Sequence, residues 1–450
     1  MVRVTDMTHG RPIRLILLFS LPLMLGSVFQ QLYTIVDTII IGRGVGMQAL
    51  ASIGAADWIN WLVLWGLQGF TQGFAILAAQ EFGAGAYDRL RRVLAMIVKL
   101  SCWFGIAVTI ISLLLVRPLL TLLHTDPAVF GGAQTYLYVQ FGGSLIIIAY
   151  NMAAAVLRCL GDSRTPLFAI IAASFANIAL DLLFVMGFGW GIFGASFATV
   201  LAQLIAFLLC LRSLRRLPFV QLTTADWKTD PAILLHLCRL GIPTGLQMSM
   251  ITLGGMVLQS VLNGFGVVFV AGYTAANKLY GILESASVAF GYAMTAYMGQ
   301  NRGARNAARI DAGIRAVLVL SAEFTAAIVT AMLVAGKPLL GLFLSTEEAG
   351  AADALAVAHR YLMVLMAFLF ALFMLQAYRS SLQGLGEMTV PTLSGFAEML
   401  MRMGAALVLP TFIGQSGVFF AEGAAWVCAA ALNLVWYYMR IGKIKREMLK

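Results

Sequence analysis

Twelve runs of roughly 20 mostly apolar residues, the length that crosses a ~30 Å hydrocarbon core as a helix, divide this 450-residue chain. They lie near 14–39, 50–79, 93–116, 133–157, 166–188, 192–211, 241–264, 267–298, 314–335, 360–383, 391–413 and 417–439. In lipid each run must satisfy its own backbone polar groups, so each is predicted to be helical. Only 11% of the residues are charged, where a soluble domain carries ~25%. The sequence therefore predicts an all-α integral membrane protein with twelve transmembrane helices.

The formal net charge of +10 is a topology signal rather than a nucleic-acid footprint. With a cytoplasmic N-terminus, 24 Lys/Arg fall on or beside cytoplasmic connections, among them Arg89 to Arg92, Arg212 to Arg216 and Arg302 to Arg309. Only Arg43, Arg117, Lys337 and Arg360 fall on the other side, and Lys278 and Arg402 are read as the basic residues inside runs. The positive-inside rule then places both termini in the cytoplasm of a multi-pass protein of the cell (inner) membrane. No cleavable signal peptide is expected, because the first run is too long and holds Pro22 and Asp37. Cys102, Cys159, Cys210, Cys238 and Cys428 are scattered and imply no disulfide or metal framework.

The chain repeats itself. QEFGAGAYDR from Gln80 and QNRGARNAAR from Gln300 share Gln-x-x-Gly-Ala-x-x-x-x-Arg, LGDSRTP (Leu160–Pro166) answers LGEMTVP (Leu385–Pro391), and Pro22 answers Pro243. Three matches in order make two six-helix halves, 1–220 and 221–450. Six is even, so the halves run in the same direction, a parallel repeat around a central cleft, which suits alternating access.

Asp37 stands inside the first run, in YTIVDTIIIG (Tyr33–Gly42). A carboxylate near the bilayer centre costs ~3 kcal/mol on insertion scales, so its retention points to function. In the fifth run Asn177 and Asp181 lie four apart on one helical face, and Thr199 lies in the sixth. The topology puts Asp37, Asp181 and Thr199 at similar depth, within about 5–12 Å of the outer boundary. Two carboxylates, an amide and a hydroxyl at one level make an oxygen ligand set for a cation such as Na⁺. Neighbouring carboxylates in low dielectric can instead share a proton. Both ions stay open, and simple bonding of each acid to a neighbouring helix is the plainer alternative.

The second half carries Lys278 and Glu284 in the eighth run, Glu323 in the ninth, Glu398 and Arg402 in the eleventh and Glu422 in the twelfth. Glu398 and Arg402 read as an ion pair on one helix face. Lys278 and Glu284, six apart, need partners on other helices. Structural pairing and lining of the cleft are both open for these residues. Asp57 sits near the outer boundary and is assigned no role.

The order Pro22, Asp37-Thr38, Gly42, then Gln80-x-x-Gly83-Ala84, Gly161-Asp162-x-x-x-Pro166 and Gln300-Asn301-x-Gly303-Ala304 resembles the MATE (multidrug and toxic compound extrusion) family over essentially the whole chain. The resemblance implies two six-helix lobes and export of cationic, amphipathic compounds against inward H⁺ or Na⁺. It is most like the DinF-like branch, whose first-helix aspartate, fifth-helix Asn-x-x-x-Asp, sixth-helix threonine and preceding glutamine correspond here to Asp37, Asn177 with Asp181, Thr199 and Gln30. Tyr136 and Asn151 fall where the resemblance implies further polar lining. Pro22 falls where it implies bending of the first helix as the site loads. An interior proline weakens the helical ladder and permits a kink, while a proline tolerated without motion is the alternative. NorM-like members also carry coupling acids in the seventh and tenth helices, but 241–264 and 360–383 hold no Asp or Glu.

The expected function is a secondary antiporter exporting organic cations, with H⁺ or Na⁺ as the coupling ion and no further cofactor. Its partners are small-molecule organic cations and the lipid bilayer, not nucleic acid, and a monomer suffices. The alternative is a flippase for lipid-linked oligosaccharide or another lipid precursor, which would call for a strongly basic cavity. An enzyme is not expected: His9, His124, His236 and His359 are far apart in sequence, and no hydrolase or metalloprotease motif appears.

Overall fold

A computed structural model describes residues 4–344 and 350–449, and all regular structure among them is helical. The helices are α1 (Pro12–Gly44), α2 (Met47–Gly83), α3 (Tyr87–Leu122), α4 (Pro127–Gly142), α5 (Ser144–Cys159), α6 (Arg164–Asp181), α7 (Gly191–Arg215), α8 (Pro231–Asn263), α9 (Val267–Gly303), α10 (Ala307–Gly341), α11 (Ala351–Gly384), α12 (Thr389–Ile413) and α13 (Phe420–Leu449). A π-helical stretch, Leu182–Gly187, continues α6.

The predicted runs follow these helices in order, with one departure. The run 133–157 is two helices, α4 and α5, bent by 50°. The break falls at Gly142-Gly143, and the side chain of Val200 on α7 occupies the space a Cβ on Gly143 would need. Paired glycines weaken a helix interior, and here they let α7 press against the bend. Ten helices are individually long and apolar enough to span a membrane, and the bent pair adds an eleventh. The twelfth place is taken by α9, whose 37 residues include Lys278, Glu284 and Arg302. Large apolar side chains such as Leu25, Ile110, Leu114, Phe168, Leu333 and Leu407 stand exposed, as lipid-facing surfaces require. The chain is a multi-pass membrane protein.

The repeat is also a repeat of helix endings. At the end of α2, Gly85 takes φ +67° and Ala86 N–H bonds Glu81 O. At the end of α9, Arg305 takes φ +56° and Asn306 N–H bonds Asn301 O. One half meets the left-handed position with glycine, which adopts it freely, and the other with arginine. The Gly-acid motifs do the same work after α5 and α11: Gly161 and Gly386 have positive φ, and Asp162 and Glu387 donate to Leu157 and Leu382.

The chain forms two compact units, one of Leu21–Gly245 with the residues up to Asp6, the other of Met7–Ser20 with the residues from Leu246. The repeats, by contrast, follow chain order, so the first helix of each repeat is divided between units. The start of α1 belongs to the second unit, where Met7 is fully buried, its N–H bonds Gln300 Oε1 at 2.8 Å, and Ser20 Oγ reaches Ala289 O. The start of α8 belongs to the first unit, where Gly241 and Gly245 lie against Phe74 and Phe70. Each division falls beside the repeat's matched proline, Pro22 or Pro243.

Within the first unit the basic connection before α8 is docked on α3. Arg91 pairs with Asp226 at 3.6 Å, and Lys99 Nζ donates to Trp227 O and Thr229 Oγ1. Asp226 Oδ2 accepts from Thr223 N–H and Thr223 Oγ1, both at 2.7 Å. Burial would push the Asp226 carboxyl up, but the Thr223 bonds and the Arg91 and Arg92 charges outweigh it and hold the carboxyl below its ordinary value. A carboxyl lowered by folding contributes stability above its unfolded value, and that contribution disappears as pH falls through the folded value. Docking of 218–230 is thus expected to hold at neutral pH and to loosen below about pH 4. Limited proteolysis of this connection across pH checks it, and Asp226→Asn should be loosened at neutral pH with little further change in acid.

Candidate functional site

Asp37 on α1 and Asp181 at the end of α6 come together within hydrogen-bond reach. Asp181 is 0% exposed and Asn177, one turn earlier, is 1% exposed. Both Asp181 oxygens, both Asn177 polar atoms and Asp37 Oδ1 are buried with no hydrogen-bond partner. Buried polar groups are nearly always satisfied, and two ionised carboxylates at this range repel. One bound proton or cation would satisfy the contact.

Apolar residues dominate the helices on either side of the pair. Ile40, Ile41, Ala49, Val185 and Ala195 form a buried cluster, with Val36 and Ile178 packed against it, and Ile40 and Ile41 lie one turn after Asp37 as Val185 lies one turn after Asp181. The π-helical stretch begins directly after Asp181. Such widened turns recur at functional sites, and this one sets the direction in which the chain leaves the carboxylate.

The other expected members divide. Tyr136 on α4 faces Asp37, and its hydroxyl accepts from Asn60 Nδ2 at 3.2 Å. Thr199 lies half-buried on α7, its hydroxyl donating to Ala195 O at 3.2 Å. Asn151 similarly donates to Ile147 O on its own helix, at 2.9 Å. Gln30 is exposed on α1. Among the described residues none of these last three bonds Asp37 or Asp181 through its side chain. The ligand set therefore contracts toward the two carboxylates and Asn177. Two groups went unseen in the sequence and one was set aside. Tyr33, one turn before Asp37, faces both aspartates, Asn60 holds Tyr136, and Asp57, assigned no role above, faces Tyr136. Tyr33 and Asp37 are four apart, a helix-face spacing that makes the first of these legible in retrospect. Among the described residues no three His, Cys, Asp or Glu side chains converge as a metal-ligand set, so a Na⁺ here would depend on amide and hydroxyl oxygens beside the carboxylates.

In the second unit the expected Glu398–Arg402 pair is present at 3.1 Å, but it is part of a longer array. Arg402 also pairs with Glu422 at 2.8 Å, and Glu398 with Arg379 at 2.5 Å. Arg379 is 3% exposed, which corrects its placement among the cytoplasmic basic residues: its helix, α11, buries it against α12. Glu284 faces this array, whereas Lys278 is exposed.

The chain matches the MatE family profile over residues 22–183 and 243–408, one stretch in each repeat. It is 31% identical to the "Probable multidrug resistance protein YpnP" of Bacillus subtilis, covering 100% of this chain and 99% of that one. It is 27% identical to the "Probable multidrug resistance protein YoeA" of the same organism, covering 95% and 94%. Among solved structures, a MATE protein in complex with MaL6 shares the fold with a TM-score of 0.91 at 24% identity, covering 99% of this chain and 100% of that one.

The crowding of Asp37 and Asp181 has a measurable consequence. Asp181→Asn removes the repulsion, and should raise the melting temperature of detergent-purified protein at alkaline pH without Na⁺, by about a degree if ~1 kcal/mol is relieved. The same variant should lose any stabilisation that the wild-type protein gains from Na⁺ or from lower pH, since a ligand stabilises only the fold that binds it. A melting temperature unchanged by the substitution under every condition would contradict the geometry.

Proposed function

Because this chain belongs to the MatE family, we propose that it is a secondary active antiporter that exports cationic, amphipathic organic compounds in exchange for H⁺ or Na⁺. Family membership makes it a transporter rather than an enzyme. The observation that carries the coupling part of the reading is the pair Asp37 and Asp181, close together, buried in part or whole, and without a hydrogen-bonding or ionic partner on their free oxygens.

The mechanism follows from what that pair needs. Empty, the two carboxylates repel in apolar surroundings. A cation or proton removes the repulsion and favours the arrangement that keeps α1 and α6 together at this level. Organic cation bound elsewhere favours the alternative arrangement, and the two ligands exchange because each has different affinity for the two states. Asn177 supplies an amide oxygen from the same face of α6, and Tyr136, which faces Asp37, supplies a hydroxyl. Pro22, fifteen residues before Asp37, removes one rung of the α1 ladder and lowers the cost of bending there. The names of YpnP and YoeA support drug-like cargo. The protein operates in the cell (inner) membrane with both termini in the cytoplasm, as a monomer.

No observation favours a lipid-linked oligosaccharide flippase. Phosphate recognition needs available basic groups, and Arg379 and Arg402 are each tied to glutamates.

The test is efflux of an ethidium-type cation from proteoliposomes, with a pH gradient and a Na⁺ gradient imposed separately. One gradient should drive export by the wild-type protein. Asp37→Asn should abolish gradient-driven export, a loss of at least tenfold, while inserting normally. Normal export by that variant would remove Asp37 from the coupling site.

A further inference from the structure

The two helices that pass between the units, α1 and α8, are both held at their starts, by different chemistry. The segment ahead of α8 is fixed to α3 through Arg91, Lys99 and Asp226. The segment ahead of α1 is fixed in the second unit by oxygens gathered around one guanidinium. Arg309 Nε donates to Asn301 Oδ1 at 3.0 Å, Nη2 to Met7 O at 2.9 Å and Nη1 to Gly10 O at 2.8 Å. Asn301 Nδ2 donates to the same Met7 O at 3.1 Å and to Tyr297 O at 2.8 Å, while Gln300 Oε1 accepts from Met7 N–H at 2.8 Å.

These groups form a socket. Met7, Gln300 and Asn301 are fully buried. Tyr297 lies against the Arg309 guanidinium, 5.5 Å from its ring centroid, and its hydroxyl donates to Arg309 O at 3.0 Å. Gly313 on α10 leaves the space that the Tyr297 ring fills. Gly10 sits at φ +89°, where glycine is at ease. Holding three separate oxygens suits the fixed fork of a guanidinium and not an ammonium group.

The first repeat shows the same helix ending without a socket. Gln80, Glu81 and Arg89 match Gln300, Asn301 and Arg309. There Arg89 Nε meets Glu81 Oε1 at 3.0 Å in an ion pair. With an amide in place of that carboxylate, Arg309 keeps the Nε contact and turns both Nη groups to the carbonyls of Met7 and Gly10. The motif ends a helix in each repeat, and in the second it also receives the chain.

We propose that Asn301 and Arg309 are positioning residues for the ion site: they fix the origin of α1, the helix that carries Asp37, and so keep Asp37 in register with Asp181. The role rests on the reading of Asp37 and Asp181 as the coupling pair. Helix α1 is continuous from Pro12 to Gly44. Pro22 permits bending, but the hydrogen-bonded ladder still passes a slip of the origin along the axis to Asp37. Ser20 Oγ, shared between Ile16 O at 2.8 Å and Ala289 O at 3.3 Å, is a weaker tie further along. A site whose binding arrangement is only partly populated loses apparent affinity by that fraction. Opening the socket therefore weakens ion binding rather than abolishing transport.

Hydrogen–deuterium exchange of the purified full chain reads the socket directly. The Met7 amide should be protected in the wild-type protein and exchange about tenfold faster or more in Asn301→Glu, where the new carboxylate captures Arg309 as Glu81 captures Arg89. Arg309→Lys, which keeps the charge and loses the fork, should act alike. In proteoliposomes both variants should still export ethidium at nearly the full maximal rate, with the half-activating ion concentration raised about threefold or more. Unchanged exchange in both variants would overturn the socket. Faster exchange with an unchanged half-activating concentration would overturn the positioning role. Normal export by Asp37→Asn would instead remove the coupling pair on which that role rests, and would leave the exchange result standing. Should one variant fail to fold, the other decides.

Discussion

Hydrocarbon offers no partner to a stray backbone N–H or C=O, and the rest of this structure depends on that. Each span must close its own ladder, so the protein is helical among all its described residues. Helix endings become the places where sequence is most constrained. The doubled Gln-x-x-Gly-Ala and Gly-acid motifs are helix terminators, with residues of positive φ at equivalent places in both repeats. Disturbances within a span are then informative. The α4–α5 bend leans on Val200, the neighbour of Thr199, the π-helical turn starts beside Asp181, and Pro22 and Pro243 stand where α1 and α8 pass from one unit to the other.

Against that uniform scaffold the two repeats spend their buried charge differently. The first unit places two carboxylates together beside an amide. The second pairs two guanidiniums with two glutamates, Arg379 with Glu398 and Arg402 with both Glu398 and Glu422. Removing one partner from a buried ionic array such as the second typically costs about 3–5 kcal/mol. The two repeats share their helix-ending motifs and differ in their buried polar residues.

Much of this was legible in sequence, for identifiable reasons. Apolar length gives the spans, and the offset of 220 to 225 residues between matched motifs gives the repeat. Asp37 and Asp181 declare themselves because a buried acid is costly wherever it lies. Arg379 did not, since it stands near a helix end that the positive-inside reading expects to be cytoplasmic, where arginine is ordinary, and only the position of Glu398 on another helix reveals that it is buried. Asp57 and Asn60 escaped for a related reason: polarity near a membrane boundary looks hydrated until packing shows what it faces. The division of α1 and α8 between units has no sequence signal beyond the two prolines. Which helix a segment packs against depends on surfaces that hydropathy does not describe.

In the proposed exchange the protein must release what it binds, and the apolar residues on the helices of Asp37 and Asp181 bear on both steps. Ile40, Ile41, Ala49, Val185 and Ala195 form an apolar cluster on the helices that carry the pair, and the less water reaches two empty carboxylates, the larger their repulsion and the gain on binding. A wall of serines would reduce both together, leaving affinity for the ion but little difference between states. That difference is what coupling requires: moving a two-state equilibrium from 1:99 to 99:1 takes about 5.5 kcal/mol of differential binding. Under the proposed exchange, the unsatisfied oxygens at this site are where the ion binds rather than an imperfection in packing.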